Sequence, residues 1–215
     1  MLHLLASLLL STTPATTTPP TTTTTPPAVG VDVEHWNAAF AAFAAHEAAH
    51  PAMRPTYTTV RVQRVLDVDV NAPIERVFAA FSNVGFHYQR HALLRGATTW
   101  ALLPRDDVGP GVVERRFTAI EDVPLLPGVS LPVATYARVL VDEARHRFTT
   151  ESWTEPSTIT RQVWTFTEHD GVVHVHETIT FESSAALMAT VVEGGVSAHT
   201  AMFVALKRDL EAGVL

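Results

Sequence analysis

The 215-residue chain predicts an α+β domain: a seven-stranded antiparallel sheet wrapped around a long C-terminal helix, with an internal cavity. Three observations carry this. Segments with period-2 alternation recur after residue 57, and most are separated by short polar turns, as in an antiparallel meander. A helical pattern of apolar residues fills the last thirty positions. A strongly curved sheet of seven strands needs something in its concavity, and that helix is the only element large enough.

In order, Val31 to His50 reads as an amphipathic helix, with Val33, Trp36, Phe40 and Phe43 on one stripe, ended by Pro51 and Pro55. It packs on the main domain or docks a partner. TYTTVRVQRVLDVDV (Tyr57 to Val70) is a half-buried strand. Val60, Val62, Leu66, Val68 and Val70 share a face with one charged residue, Arg64. NAPIERVFAAFSN follows as a helix, capped by Asn71, with Ile74, Val77, Phe78 and Phe81 as its stripe. A short helix over Phe86 to Leu93 comes next. Six strands are then expected at Ala97–Leu103, Gly111–Ile120, Ala134–Asp142, His146–Thr154, Thr160–Glu168 and Val172–Phe181. VPLLPGVSLP (Val123 to Pro132) reads as an apolar loop that gates a cavity or touches a membrane transiently. Ser183 or Ser184 opens the final helix, which Gly194-Gly195 should kink. Residues 1–28 form a possible signal segment and a Thr/Pro-rich stalk without a core, residues 29–55 the amphipathic helix, and residues 56–215 the main domain.

Composition narrows the function. The net charge is −7, with a single lysine, Lys207, and no basic run, which argues against a nucleic-acid partner. Without cysteine there is no disulfide, thiolate nucleophile or Cys-based metal site. LHLLASLLLS lacks the basic residues of a signal n-region and is too short to span a bilayer, which favours a cytoplasmic chain; the Thr/Pro tract, of a kind glycosylated in exported proteins, argues the other way.

The opening V-x-V-x-A-P-I-E-R-V-F-A-A-F-S-N, Val68 to Asn83, together with the element order, resembles the START-like superfamily, also called SRPBCC, of polyketide cyclase/dehydrase and lipid-transport proteins. The resemblance covers Tyr57 to Ala212. It implies a helix-grip fold around an elongated apolar cavity that binds a lipid, polyketide or other hydrophobic small molecule without a cofactor. A minority of members are cyclases or aromatases. The group has no invariant catalytic motif, so the resemblance transfers no catalytic residue.

Candidate site residues come from charges on apolar faces. Glu177 lies among Val173, Val175, Ile179 and Phe181, and Arg64 is its counterpart on the first strand. Facing each other at mid-strand, they would form a buried pair that orients a ligand's polar end. His199, in step with Val196 and Phe203, is the candidate acid/base. Gln162, Trp164 and Phe166 suit the cavity wall, with Phe78 and Phe81 from the second helix. The rival function is a cyclase, aromatase or dehydratase that uses these His, Arg and Glu groups. Two metal patterns are set aside. His46-Glu47-Ala48-Ala49-His50 matches the zinc-hydrolase H-E-x-x-H, but Pro51 follows and no third ligand is in sequence. His174 and His176 share a strand face as in cupins, but with Thr178 and Thr180, so that face is read as solvent-exposed. No metal ligand is assigned.

Overall fold

Residues 28–30, 32–53, 59–126, 129–154 and 158–215 are described by the computed structural model. Seven strands form one antiparallel sheet: β1 (Thr59–Val70), β2 (Leu94–Pro104), β3 (Val113–Leu126), β4 (Val129–Asp142), β5 (Arg147–Thr154), β6 (Thr158–His169) and β7 (Val172–Ser184). Their order is β1-β7-β6-β5-β4-β3-β2, so every neighbour from β2 to β7 is a hairpin partner and β1 closes against the last strand. Among the described residues the α-helices are α1 (Val33–Met53), α2 (Ile74–Ser82), α3 (Val84–His87) and α4 (Ala185–Glu211).

The alternation seen in the sequence becomes two faces. Val70, Val173, Val175, Phe148, Trp164 and Phe166 point inward and pack with Phe78 and Phe81 of α2 and Met202, Phe203, Leu206 and Leu210 of α4. This is the main core, and α4 closes it against β1 and β7. The opposite face is covered in part by α1, whose Trp36, Ala39 and Phe43 pack on Tyr136, Trp153 and Ile159. Arg116 lies over the Trp36 ring at 4.6 Å, and Arg161 over Phe43 at 5.5 Å. The amphipathic stripe of α1 is therefore satisfied by the sheet's convex face.

Several expectations need correction. α1 continues through Pro51 to Met53; a proline in the last turn removes only one helical bond near a frayed end. Asn71 does not cap α2. The N-cap position is Pro73, without a side-chain bond, and the backbone N–H of Asn71 donates to Glu211 Oε1 at 2.9 Å. α3 is only four residues long, and Gln89, at φ 64°, lies in the turn that follows it.

The Val123–Pro132 segment is mostly strand. Val123 pairs with Leu131 and Leu126 with Val129 across the β3–β4 hairpin. β2 reaches only Glu121 of β3, and β5 reaches only Thr135 of β4. Beyond those points the hairpin is a two-stranded ribbon with one open edge per strand, where a proline costs no ladder bond. The signal-like and Thr/Pro segments, residues 1–27, lie outside the described residues, as do the side chains of His46, Glu47 and His50.

Candidate functional site

Between the concave sheet face, α3 and α4 lies a cavity of about 420 Å³, within the ordinary range for small-molecule pockets. Its wall is mainly apolar. Phe81, Phe117, Val139, Phe148, Trp164, Ile179 and Phe181 line it, with Leu187 and Val191 from α4. Leu131 on the ribbon and Leu187 on α4 line the cavity and stay exposed (49% and 42%), so they mark where it meets the surface. A band of short hydroxyls crosses the sheet wall: Thr150, Ser152, Thr154, Thr158 and Thr160. These residues alternate inward because each strand turns every second side chain to the cavity.

One cluster breaks the apolar wall. His199 of α4 places Nδ1 3.0 Å from Glu177 Oε2 on β7. Its Nε2 lies 3.5 Å from Gln162 Nε2 on β6. The His91 ring meets the His199 ring edge to face at 5.2 Å between centroids. Glu121, the inward residue of β3 after Phe117 and Ala119, accepts from Thr135 Oγ1 at 2.9 Å and lies 4.0 Å from His91 Nδ1. His87 Nε2 donates to Phe81 O at 2.9 Å. Glu177 is wholly buried. Its Oε1, and Nδ1 of His91, have no hydrogen-bond partner among the described residues. Such atoms are costly to leave unpaired. His91 lines the cavity, where a ligand's polar group could satisfy it, whereas Glu177 does not line the cavity and meets it only through His199.

The environment drives the three imidazoles apart. Burial disfavours the charged form of His199, but the Glu177 carboxylate outweighs it through charge and hydrogen bond, and the pKa is raised. Burial lowers His91 well below its usual 6.5, with His199 and His87 adding to the effect. Burial also lowers His87, to about 4, despite its bond to Phe81 O. Glu121 is raised, chiefly by desolvation. Its side chain keeps 23% of its surface open and lines the cavity. The site thus holds one imidazole whose pKa is raised beside two whose pKa values are lowered, the kind of division acid/base chemistry uses.

The structure brings together His199, Glu177, Gln162, Trp164 and Phe81. Phe78 and Phe166 lie in the core cluster and do not line the cavity. Arg64 is a correction. The register sets Arg64 opposite Ile179 and Leu66 opposite Glu177. β1 is an edge strand, and Arg64 is exposed, its Nη1 donating to Gln63 O at 2.8 Å. The partner of Glu177 is the helix histidine. His87, His91 and Glu121 were not foreseen. Glu121 carried the same signal as Glu177, an acid in inward step with apolar residues.

No family model matches the chain, and no curated protein does. Solved structures do. The Zhui aromatase/cyclase from Streptomyces sp. R1128 aligns at TM-score 0.53 and 16% identity, over 73% of this chain and 98% of its own. A START superfamily protein from Mycobacterium smegmatis aligns at 0.52 and 14%, over 70% and 97%. A protein from Thermus thermophilus aligns at 0.51 and 16%, over 73% and 99%. At these identities the likeness concerns architecture, and the architecture of this chain is the START-like helix-grip fold.

Proposed function

We propose that the protein binds an amphipathic small molecule of the lipid or polyketide type, with a mainly apolar body and a few hydroxyl or carbonyl groups. The observation that carries this is the cavity itself: an apolar wall with one polar cluster and a band of hydroxyls. A ligand that buries roughly 300 Å² of apolar surface there gains about 7 kcal/mol before ordering costs. His199, Gln162 and His91 would orient its oxygen atoms.

A second reading is a cyclase- or aromatase-type reaction on a polyketide-like substrate. The His199–Glu177 contact favours it, because a buried carboxylate that orients an imidazole is the arrangement of a positioned general acid/base. Nothing described supports the zinc-hydrolase reading, whose side chains lie outside the described residues.

Native mass spectrometry of untagged protein, followed by organic extraction, tests the binding reading. A co-purifying apolar molecule, or uptake of added fatty acid, sterol or aromatic polyketide, is the expected result. A bare protein that takes up none of these would overturn it. Arg64→Leu should bind as the parent does, whereas Glu177→Leu should not. Turnover of a bound polyketide that stops in His199→Ala would favour the enzyme.

A further inference from the structure

On the convex face, away from the cavity, His174 and His176 of β7 stand beside Asp69 and Asp67 of β1, each pair directly opposite in the ladder. We propose that Asp67, His174 and His176 form a binding site for one divalent transition-metal ion, best matched by Zn²⁺. This site does not rest on the cavity reading.

Three ligand atoms converge there, one per residue, all within 4.8 Å of one another. Asp67 Oδ1 lies 2.7 Å from His176 Nδ1 and 3.2 Å from His174 Nε2. A tetrahedral zinc centre with bonds of about 2.0–2.1 Å spaces its ligand atoms about 3.4 Å apart, so the Asp67–His176 contact opens slightly on binding and the two imidazole nitrogens, within 4.8 Å of each other, settle to the same spacing. The second nitrogen of each ring is already held. His174 Nδ1 meets Asp69 Oδ1 at 2.8 Å, and His176 Nε2 meets Thr178 Oγ1 at 3.2 Å. With those nitrogens protonated, the lone pairs of His174 Nε2 and His176 Nδ1 both face Asp67. This is the carboxylate–histidine–metal arrangement, in which an outer partner fixes the tautomer and raises the basicity of the ligand.

The same geometry is unfavourable without a cation. A neutral imidazole has one N–H. His174 has carboxylate oxygens against both nitrogens, so one lone pair must face an anion unless a proton or a metal ion stands between them. Two imidazoles and one carboxylate suit a borderline divalent ion, and the fourth position opens to solvent. Lys207, beside Asp69, is otherwise engaged: its Nζ donates to Asp69 O at 2.5 Å and to Glu211 Oε1 at 2.7 Å.

The test is calorimetric titration of the untagged full chain with Zn²⁺, with Co²⁺ absorption as a second readout. His46→Ala/His50→Ala serves as the background, because HEAAH could bind zinc by itself. One equivalent should bind in that background. It should vanish in His174→Ala and His176→Ala, and weaken about 10–100-fold in Asp69→Asn, which perturbs only the outer partner. The substituted side chains are at least partly exposed, so thermal unfolding should be unchanged and confirms that the variants fold. Absence of saturable binding in the background protein would overturn the proposal. Binding that persists in His174→Ala/His176→Ala would overturn it as well.

Discussion

His199 Nδ1 lies 3.0 Å from Oε2 of Glu177, a residue with no exposed surface. The contact ties the middle of α4 to the strand it packs on and directs the other imidazole nitrogen toward Gln162 at the cavity wall. The Glu177 carboxylate is the main reason the His199 pKa is raised in spite of burial. Glu177→Gln should therefore lower the His199 pKa, because desolvation then acts with less opposition. Imidazole NMR titration of parent and variant checks this. An unmoved His199 would show that Glu177 does not set its charge.

Linkage gives the histidines opposite effects on stability. His199 is raised in the folded state, so its contribution is complete below the unfolded value of 6.5 and is lost as pH rises through the folded value. His87 is lowered from 6.5 to about 4, so its contribution is present above 6.5 and is lost as pH falls through 4. That loss amounts to about 3 kcal/mol at 1.36 kcal/mol per pKa unit. His91, lowered in the same way, adds to it. Urea midpoints should fall between pH 6.5 and 4, and fall less in His87→Gln.

Gly194 and Gly195 should respond in opposite ways to alanine. A Cβ on Gly194 meets nothing within 4 Å, whereas one on Gly195 would lie 2.6 Å from Phe181 Cε1. Alanine favours a helix interior by about 1 kcal/mol over glycine. Gly194→Ala should gain most of that. Gly195→Ala must push the Phe181 ring or shift α4, an overpacking cost of about 1–3 kcal/mol. Thermal melts would separate the two.

This pair also shows what was legible beforehand. The glycines were visible as an oddity in a helical pattern, but their role depends on which side chain the strand presents there. The same limit applied to Arg64 and Glu177. Both charges on apolar faces could be read from period-2 alternation, yet their pairing required the register, which offsets them by two residues. Glu121 falls outside the expected strand, which stops at Ile120, whereas β3 runs on to Leu126. His87 and His91 reach the cavity through the chain reversal around Gln89, a positive-φ turn that no pattern around it announces.

The Trp36 ring is 3% exposed and stacks on Phe40 at 4.1 Å between centroids while Arg116 covers it. Trp36→Ala should release α1 from the convex face. The cost is bounded by the docking energy of that helix and is at most about 3–5 kcal/mol, the range for a buried tryptophan. The cavity lies across the sheet from α1, so ligand uptake should persist. Hydrogen exchange should show α1 amides losing protection while those of β7 keep theirs.

The buried pair between Arg90 and Asp209 provides the sharpest contrast in stability. Arg90 Nη2 lies 2.7 Å from Asp209 Oδ2, with the two side chains only 7% and 2% exposed. Arg90 also donates to Phe86 O at 3.0 Å, so one guanidinium joins the α3 region to the end of α4. Asp209 is desolvated, yet bonds from Arg208 and Arg90 hold its pKa below the usual carboxylate value. Asp209→Ala leaves a buried guanidinium without its counter-charge and should cost about 3–5 kcal/mol. Arg145→Ala removes an exposed guanidinium from its pair with Asp142, where water screens the charges, and should cost far less. Denaturant unfolding of the two variants compares them directly. Near-equal losses would mean that water reaches the Arg90–Asp209 pair, and the contact between the α3 region and α4 would then owe its stability to the surrounding apolar packing.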